Sequence, residues 1–394
     1  MSISNNANND FIIDWGDGSP LVSVQGSQPN LSALLARTYA SHGEYTITIM
    51  GTVAGNMTFG SIGRGEQRLT EVLTPFPHQP GRTIFTQLFA RTTNLTSVPE
   101  NLFAANPQLT GLNTGFDSTG LTTVPAGLFR YTPNLEDAGA LFRSSAITTI
   151  PAGLFDYNPA LTRFNEAFRW SNLTAIPPGL FDNNPAITSF HQVFQATNIT
   201  SIPPGLFDNN PAIHNFDSTF LNTGVTAIPP GLFDNTPAVT TFQSTFRDTP
   251  LTAIPPGLFD NNPAVTNFSL TFQDTNITSI PAGLFDNNPA VTQFQQTFQD
   301  TPITAIPPGL FNNNTAVTTF RYTFTRTNIT SIPPDLFNNH PNVTSFIATF
   351  RDTNITAIPA GLFNNNLAVT SFAGTFHWID TLVSIPANCT VQNP

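Results

Sequence analysis

Apolar side chains recur along most of the chain with a spacing of 26 residues. An isoleucine or valine followed by proline stands at Val98 and at each further step of 26 residues up to Ile358. Val72 lies 26 residues before Val98 but lacks the proline, and Ile385 follows Ile358 after 27 residues. About thirteen copies therefore span residues 69–386. A fixed period of this length predicts a solenoid in which each copy forms one coil.

The copy that begins at Leu251 shows the apolar pattern inside one coil. Its further apolar residues are Ile254, Leu258, Phe259, Val265, Phe268 and Phe272. A single copy is too short to enclose these side chains, whereas stacked copies bury them against their equivalents. The phenylalanines are therefore expected to form the core rather than a stacking surface for ligands. One buried column is predicted to contain Phe194, Phe220, Phe246, Phe272 and Phe298.

Local sequence predicts a short strand and short helices in each coil. Residues 251–254 are rich in β-branched side chains and are expected to be extended. Residues 255–260 begin with two prolines, which suit the first turn of a helix. Val265, Phe268 and Phe272 are three and four residues apart, which is the spacing of one helix face. The predicted fold class is a repeat solenoid with a short strand and short helices in each turn.

The repeated motifs resemble a known family. Residues 265–272 read Val-Thr-x-Phe-x-x-Thr-Phe, and residues 277–281 read Ile-Thr-Ser-Ile-Pro. This pattern resembles the leucine-rich-repeat variant of BspA-like bacterial surface proteins, although phenylalanine stands here where that family often has methionine. The resemblance covers about four fifths of the chain. It implies a leucine-rich-repeat-like scaffold, found on cell surfaces and in phage genomes, that binds or adheres without catalysis.

The region before the repeats has a different pattern. Short strand-like segments, separated by turn residues, are predicted at 11–15, 21–24, 37–40, 45–49 and 57–59. The turn Asp14-Trp-Gly-Asp-Gly18 and the spacing of Tyr39, Gly43 and Tyr45 resemble the PKD-type immunoglobulin-like domain. That resemblance implies a small all-β, sandwich-like module that serves as a spacer or binding unit. We also expect this module to cap the apolar start of the coils.

The chain is predicted to contain five successive parts. These are an N-terminal arm (1–10), a PKD-like β domain (11–60), a glycine-rich linker (61–68), the solenoid (69–386) and a C-terminal tail (387–394). Trp378 and an extra residue interrupt the repeat near its end. The last copy is not followed by an amphipathic cap, so its apolar surface is expected to meet a partner. This predicts self-association, or assembly into a larger particle, through the ends of the solenoid.

Composition limits the classes of partner. The formal net charge is −11, only 9% of residues are charged, and lysine does not occur. An acidic chain without a basic stripe is not expected to bind nucleic acid. Cys389 is the sole cysteine, so an internal disulfide is not possible. The sequence shows no secretory signal at its start and no apolar run long enough for membrane insertion.

Catalytic or metal chemistry is not predicted. The six histidines stand at non-equivalent repeat positions, and no cofactor or catalytic residue is expected. One repeat position holds an acidic column: Asp156, Asp182, Asp208, Asp234, Asp260 and Asp286. A calcium ion could bridge such carboxylates, but the exchange of this residue to asparagine from Asn312 onward favours a turn-capping role. A column of threonines at Thr200 and its equivalents resembles ice-binding solenoids, although proline interrupts it.

The positions around the second phenylalanine pair vary between copies. Exposed arginine and aromatic residues are enriched at protein contacts, although drift on a solvated face would also produce variation. The candidate binding residues are Arg169, Trp170, Arg247, Arg321, Tyr322, Arg351 and Trp378.

These observations predict a non-enzymatic binding or structural protein of an extracellular particle. The first hypothesis is a phage virion component, such as a fibre, a capsid decoration or a receptor-binding protein. Its partners would be other virion proteins, or a protein or glycan on the host surface. The alternative is a bacterial cell-surface adhesin whose leader is absent from this sequence. Both hypotheses place the protein on a virion or at a cell surface.

Overall fold

The computed structural model describes residues 1–59 and 68–384. Contacts divide the chain into two compact units, Met1–Leu173 and Thr174–Pro394. Most of the predicted linker, the whole predicted tail and Cys389 lie outside the described residues. The first unit contains the N-terminal strands and the first coils, and the described part of the second unit consists of coils.

Short strands form the N-terminal part of the first unit. Within residues 1–59 they are β1 Ser2–Ile3, β2 Asp10–Asp14, β3 Val22–Gln25, β4 Thr48–Thr52 and β5 Met57–Thr58, with one helical turn, α1 Leu31–Leu34. β2 is the central strand of an antiparallel sheet with β3 and β4, and β1 pairs antiparallel with β5. Side chains alternate along β2, so Phe11 and Ile13 enter the core. β1 lies within the predicted N-terminal arm.

Four of the five predicted strand segments overlap observed strands, but residues 37–40 do not form one. The Tyr39 hydroxyl instead donates to the carbonyl oxygen of Trp15 over 3.1 Å. The Tyr39 ring stacks on Tyr45 with 4.0 Å between centroids. Side-chain contacts therefore hold this segment, and its backbone takes no part in the sheet.

Phe59, directly after β5, connects the strands to the coils of the first unit. Its backbone N–H donates to the carbonyl oxygen of Leu88 over 2.7 Å. Its ring stacks on Phe89 with 5.4 Å between centroids. The capping of the apolar start of the coils by the N-terminal region stays a prediction, with which this contact agrees.

The ladder between coils lies in the second half of each repeat. Isolated parallel bridges connect Asn267 to Thr241 in the preceding coil and to Gln293 in the following one. The segment predicted to be extended at 251–254 also bonds between coils, since the Thr252 N–H donates to the carbonyl oxygen of Thr226 over 3.3 Å, and at its equivalents bridges connect Glu71 to Ser97 and Ala357 to Ser384. The predicted helices are wrong, because no residue between 69 and 384 lies in a helix. Turns, rather than a helix, produce the spacing of three and four residues between the apolar side chains.

Two residues in each ladder turn adopt a left-handed backbone. In one coil of the second unit these are Ser244 and Asp248, each with φ of 56°. This conformation costs a non-glycine residue about 1–2 kcal/mol. The N–H groups of Ser244 and Asp248 donate to the carbonyl oxygens of Ser269 and Gln273 in the next coil, each over 3.0 Å. These bonds between coils offset the strain, and a helix could not make them because its N–H groups bond within the same segment.

Columns of stacked phenylalanine rings form the core of each unit. In the second unit, ring centroids in one column are 5.7–6.0 Å apart, and the column contains Phe194, Phe220, Phe246, Phe272 and Phe298. These side chains are fully buried. The predicted column is therefore confirmed. The first unit has an equivalent column with spacings of 5.4–5.7 Å, formed by Phe89, Phe116, Phe142 and Phe168.

Buried threonines and asparagines bind carbonyl groups next to the phenylalanines. The Thr271 hydroxyl lies 2.7 Å from the carbonyl oxygen of Phe268 and 3.0 Å from that of Phe242. The Asn288 side chain donates from Nδ2 to the carbonyl oxygens of Phe259 and Asn262, over 3.0 and 2.9 Å. Thr271 and Asn288 are tolerated in this core because their donors bind backbone carbonyl groups, whereas Asn288 Oδ1 has no hydrogen-bond partner among the described residues.

His340 occupies an asparagine position in the buried column of the second unit. Its Nε2 lies 3.0 Å from the carbonyl oxygen of Phe311, and its ring meets Phe320 edge-on at 5.2 Å. The buried Nδ1 atom has no hydrogen-bond partner among the residues that the structure describes. Burial lowers the pKa of His340 below its ordinary value.

We expect acid to destabilise the second unit through His340. Because its folded pKa is below 6.5, the unfolded chain binds this proton more readily. The free energy of unfolding should therefore fall as the pH drops below about 6.5, until the pH reaches the folded pKa. His340→Asn should remove this part of the pH dependence, measured by denaturant unfolding between about pH 7.5 and about pH 5. The same pH dependence in the variant would contradict this role.

Candidate ligand-binding face

The ladder turns give each unit one surface whose residues change from coil to coil. In the coil of Phe268 and Phe272, positions 267, 269, 270, 273 and 274 flank the fully buried phenylalanines; Asn267, Leu270 and Asp274 are at least partly exposed, whereas Ser269 and Gln273 are buried. We name these positions and their equivalents the ladder face. The inward residues are almost all phenylalanine or threonine, whereas the residues of the ladder face differ in size, charge and aromatic character. The residues that vary between coils therefore lie on this surface.

All seven candidate binding residues lie on the ladder face, and Arg169 and Trp170 belong to the first unit. The Arg169 guanidinium lies 3.8 Å from the centroid of the Trp170 ring, which is a close cation–π contact. Trp170 is 50% exposed despite this contact. The Trp170 ring is therefore held by Arg169 while about half of its surface remains open to solvent.

The other five candidates lie in the second unit and form separate contacts. Arg351 lies 4.0 Å from the ring centroid of Trp378, which is 59% exposed. Arg321 is 5.9 Å from the ring centroid of Tyr322, near the outer limit for a cation–π contact. Arg247 differs from the others because it lies 3.4 Å from the Asp248 carboxylate.

An ion-pair network surrounds Glu166 in the first unit. Arg143 Nε lies 2.9 Å from Asp117, and Arg143 NH1 lies 3.2 Å from Glu166 Oε2. The same Glu166 oxygen accepts from Arg169 over 3.0 Å. Burial alone would raise the pKa of Glu166, but hydrogen bonds from Arg169 and Arg143 outweigh it and lower the pKa. The carboxylate therefore stays ionised and fixes both guanidinium groups.

A small notch interrupts the ladder face beside this network. Its floor is Gly139 and Ala140, where neighbouring coils carry larger side chains. Polar residues form its rim: Asn113, Asp137, Arg143, Asn165 and Glu166. A Cβ atom at position 139 would come within 2.7 Å of Asn113 Nδ2, so a larger residue there would push the Asn113 side chain aside and occupy part of the notch. The notch was not predicted from the sequence, because Gly139 and Ala140 stand at positions that differ from coil to coil.

An acidic column on the ladder face of the second unit was also missed. Asp248, Asp274 and Asp300 occupy equivalent positions in successive coils. Burial and, after it, the nearby Asp300 and Asp248 carboxylates raise the pKa of Asp274. Arg326 forms an ion pair with Asp300 and partly neutralises the column. The register of the coils, rather than any local motif, brings these carboxylates together.

The predicted acidic column at Asp260 and its equivalents is exposed and packs against glycine. The Asp260 N–H donates to the carbonyl oxygen of Gly257 over 3.0 Å, which closes a tight turn at a glycine with φ of 71°. Among the described residues, no group of histidine, cysteine or carboxylate side chains is arranged to hold a metal ion. Within the same residues, no helix is long and apolar enough to cross a membrane.

The sequence matches one family model, described as "BspA type Leucine rich repeat region". Its matches cover residues 144–266 and 226–370, so together they span more than half of the 394-residue chain. No curated protein matches the sequence.

Solved structures show the same fold at low sequence identity. The chain is similar to one in the Drosophila Toll–Spatzle complex, with a TM-score of 0.53, 18% identity, and coverage of 76% of this chain and 42% of that one. For the TLR13–ssRNA13 complex the TM-score is 0.56 at 14% identity, with coverage of 73% and 42%. For a TDR receptor the TM-score is 0.54 at 14% identity, with coverage of 73% and 46%. This chain therefore spans less than half the length of these relatives.

Proposed function

Because the chain belongs to the BspA-type leucine-rich-repeat family, we propose that it is a surface-displayed adhesion protein that recognises its partner through the ladder face. The half-exposed Trp170, held by Arg169, is the observation that carries this proposal. Constant residues build the scaffold and variable residues cover one face, which is the division of roles expected in a recognition scaffold. The chain's partner is a protein or a glycan on another surface, since its charge of −11 disfavours nucleic acid.

The fold is compatible with more than one class of ligand. Structures that this chain resembles include Toll in complex with Spatzle and TLR13 in complex with ssRNA13. A virion component would use the same face, but that hypothesis rests on the low charge and the absence of lysine alone. The hypothesis of adhesion at a bacterial surface needs no assumption beyond membership of the family, so it is the function that we propose.

The N-terminal region serves, in this proposal, as a PKD-like spacer or attachment domain. Its strands end close to Phe59, which contacts the first coils, and this supports attachment of the region to the start of the solenoid. The turn between β2 and β3 is stabilised locally, since the Asp14 carboxylate accepts from the Gly16 N–H over 2.9 Å. We propose that the chain is divided into the five parts predicted from its sequence. The solenoid is the part that binds the partner.

Replacing Trp170 and Tyr322 with alanine should weaken adhesion without unfolding the protein. Loss of aromatic anchors of this kind costs about tenfold or more in Kd. The measurement is binding of the labelled full chain to a panel of bacterial and host cell surfaces, together with the melting temperature. Tyr157→Ala is the matched control, because Tyr157 is 51% exposed and contacts Arg130 at 5.5 Å away from the ladder face. Unchanged adhesion in the double variant would exclude these anchors as contact residues.

We also propose that the last described coil of the second unit mediates self-association. Phe372 is 46% exposed, Leu367 90% and Val383 86%, so this part of the unit carries several exposed apolar side chains. Apolar surface of this kind favours a partner, and a second copy of the chain is the simplest one. Light scattering should show concentration-dependent dimers that Trp378→Ser weakens. A monomer at every concentration, in the parent chain and in the variant alike, would rule this out.

A further inference from the structure

We infer that the notch at Gly139 and Ala140 binds one sugar residue of a neutral glycan. This inference rests on the proposed adhesive function and names the ligand class for one site on the ladder face. Three properties of the first unit support it: the hydrogen-bonding groups on the rim, their balanced charge, and the adjoining Trp170.

The rim residues of the notch provide both hydrogen-bond donors and hydrogen-bond acceptors. The floor, Gly139 and Ala140, has no large side chain. The amides of Asn113 and Asn165 can donate and accept, and the carboxylates of Asp137 and Glu166 accept. Asp137 Oδ1 accepts from the Gly139 N–H over 2.9 Å, whereas Asp137 Oδ2 lies 3.8 Å from Arg163, beyond hydrogen-bond distance. A sugar hydroxyl both donates and accepts, so a ring with several hydroxyls matches this mixed rim better than a purely anionic or cationic group.

The charges around the notch cancel. Asp117, Asp137 and Glu166 face an equal number of arginines: Arg143, Arg163 and Arg169. Binding of a phosphate, a sulfate or a carboxylate favours an excess of guanidinium groups whose donors are unoccupied. Here Arg143 is already engaged by two carboxylates. A neutral, hydroxyl-rich ligand fits this balance.

Trp170 extends the site on one side. Arg169 connects Trp170 to the notch, since its guanidinium contacts the Trp170 ring at 3.8 Å and the Glu166 carboxylate on the rim at 3.0 Å. The ring is 50% exposed, so part of it remains open to a ligand. The C–H groups on one side of a sugar ring are apolar and stack on an aromatic surface, while its hydroxyls reach polar groups. A glycan with one sugar in the notch and the next on Trp170 would use both features.

The test is calorimetric titration of the full chain with neutral oligosaccharides, namely malto-, cello-, chito- and mannohexaose, and with a heparin hexasaccharide as the anionic comparison. At least one neutral probe should bind with a Kd below about 1 mM. Asp137→Asn keeps the shape of the rim, and Gly139→Val fills the notch. Asp137→Asn and Trp170→Ala should each weaken binding by about tenfold, and Gly139→Val should abolish it.

Tyr157→Ala is the matched control, because Tyr157 is a similarly exposed aromatic residue of the first unit that lies away from the ladder face and should leave the titration unchanged. The inference fails if no neutral probe binds, if only heparin or a protein partner binds, or if Asp137→Asn and Gly139→Val bind as the parent chain does. Cell adhesion that depends on Trp170 in the absence of any oligosaccharide binding would leave the proposed function standing and refute the glycan assignment. If the parent chain neither adheres to cells nor binds any oligosaccharide, both the proposed function and the glycan assignment are refuted.

Discussion

Phe272→Ala should lower the free energy of unfolding by about 3–5 kcal/mol, as expected for truncation of a fully buried phenylalanine. The Phe272 ring stacks between Phe246 and Phe298, with centroid distances of 6.0 and 5.9 Å. The neighbouring coils are held by ladder hydrogen bonds and cannot close the cavity without breaking them. Both stacked neighbours therefore lose contacts that relaxation does not restore. Denaturant unfolding of the full chain measures this change.

The same substitution at Phe376 is the matched control. Phe376 occupies the equivalent position in the last described coil, is only half-buried, and stacks on Phe350 alone among the phenylalanines of its column. Its truncation should cost clearly less than that of Phe272, because less surface returns to water and less cavity forms. Equal losses at the two positions would mean that the column does not carry the stability assigned to it.

Asn288→Asp should cost about 3–5 kcal/mol at neutral pH, because it leaves an uncompensated charge in the core. The change keeps the shape of the side chain but replaces an NH2 donor with a second oxygen. That oxygen would face the carbonyl oxygens of Phe259 and Asn262, which lie 3.0 and 2.9 Å from Asn288 Nδ2. Asn288 is fully buried, so water cannot solvate the new charge. The folded carboxyl would therefore have a raised pKa.

The pH dependence gives this prediction a second readout. With a raised folded pKa, the unfolded chain releases the proton more readily, so the variant should lose stability as the pH rises above about 4. Asn287→Asp is the control, because Asn287 is the exposed neighbour and should tolerate the charge at every pH. A variant at position 288 that is as stable as the control at neutral pH would show that this amide is not needed as a donor.

Natural exchanges in the buried column follow the same rule. Thr236 donates from its hydroxyl to the carbonyl oxygen of Phe233 over 3.0 Å, and His340 holds its Nε2 3.0 Å from the carbonyl oxygen of Phe311. Each exchange changes the shape of the side chain but keeps a donor against a phenylalanine carbonyl. The position therefore selects for hydrogen-bonding capacity more strongly than for shape.

The sequence by itself determined the period, the core and the face that varies. Phenylalanines repeated every 26 residues can be buried only against their own equivalents, so stacking of coils followed from the pattern. Trp170 and Tyr322 fell on the ladder face for the same reason, because the inward positions were already assigned to the core. The leucine-rich-repeat resemblance agreed with this outcome, and the family match and solved structures supported it.

The tertiary structure alone decided where the ladder runs and which side chains meet on it. Spacings of three and four residues fit either a helix or a pair of turns, and only hydrogen bonds to the next coil favour the turns. Arg143 contacts Asp117 and Glu166, which are 26 and 23 residues away in the sequence. No local sequence motif therefore predicts this ion-pair network. The notch exists because the coils on either side carry larger side chains than Gly139. Such features depend on the register between coils, which local sequence does not encode.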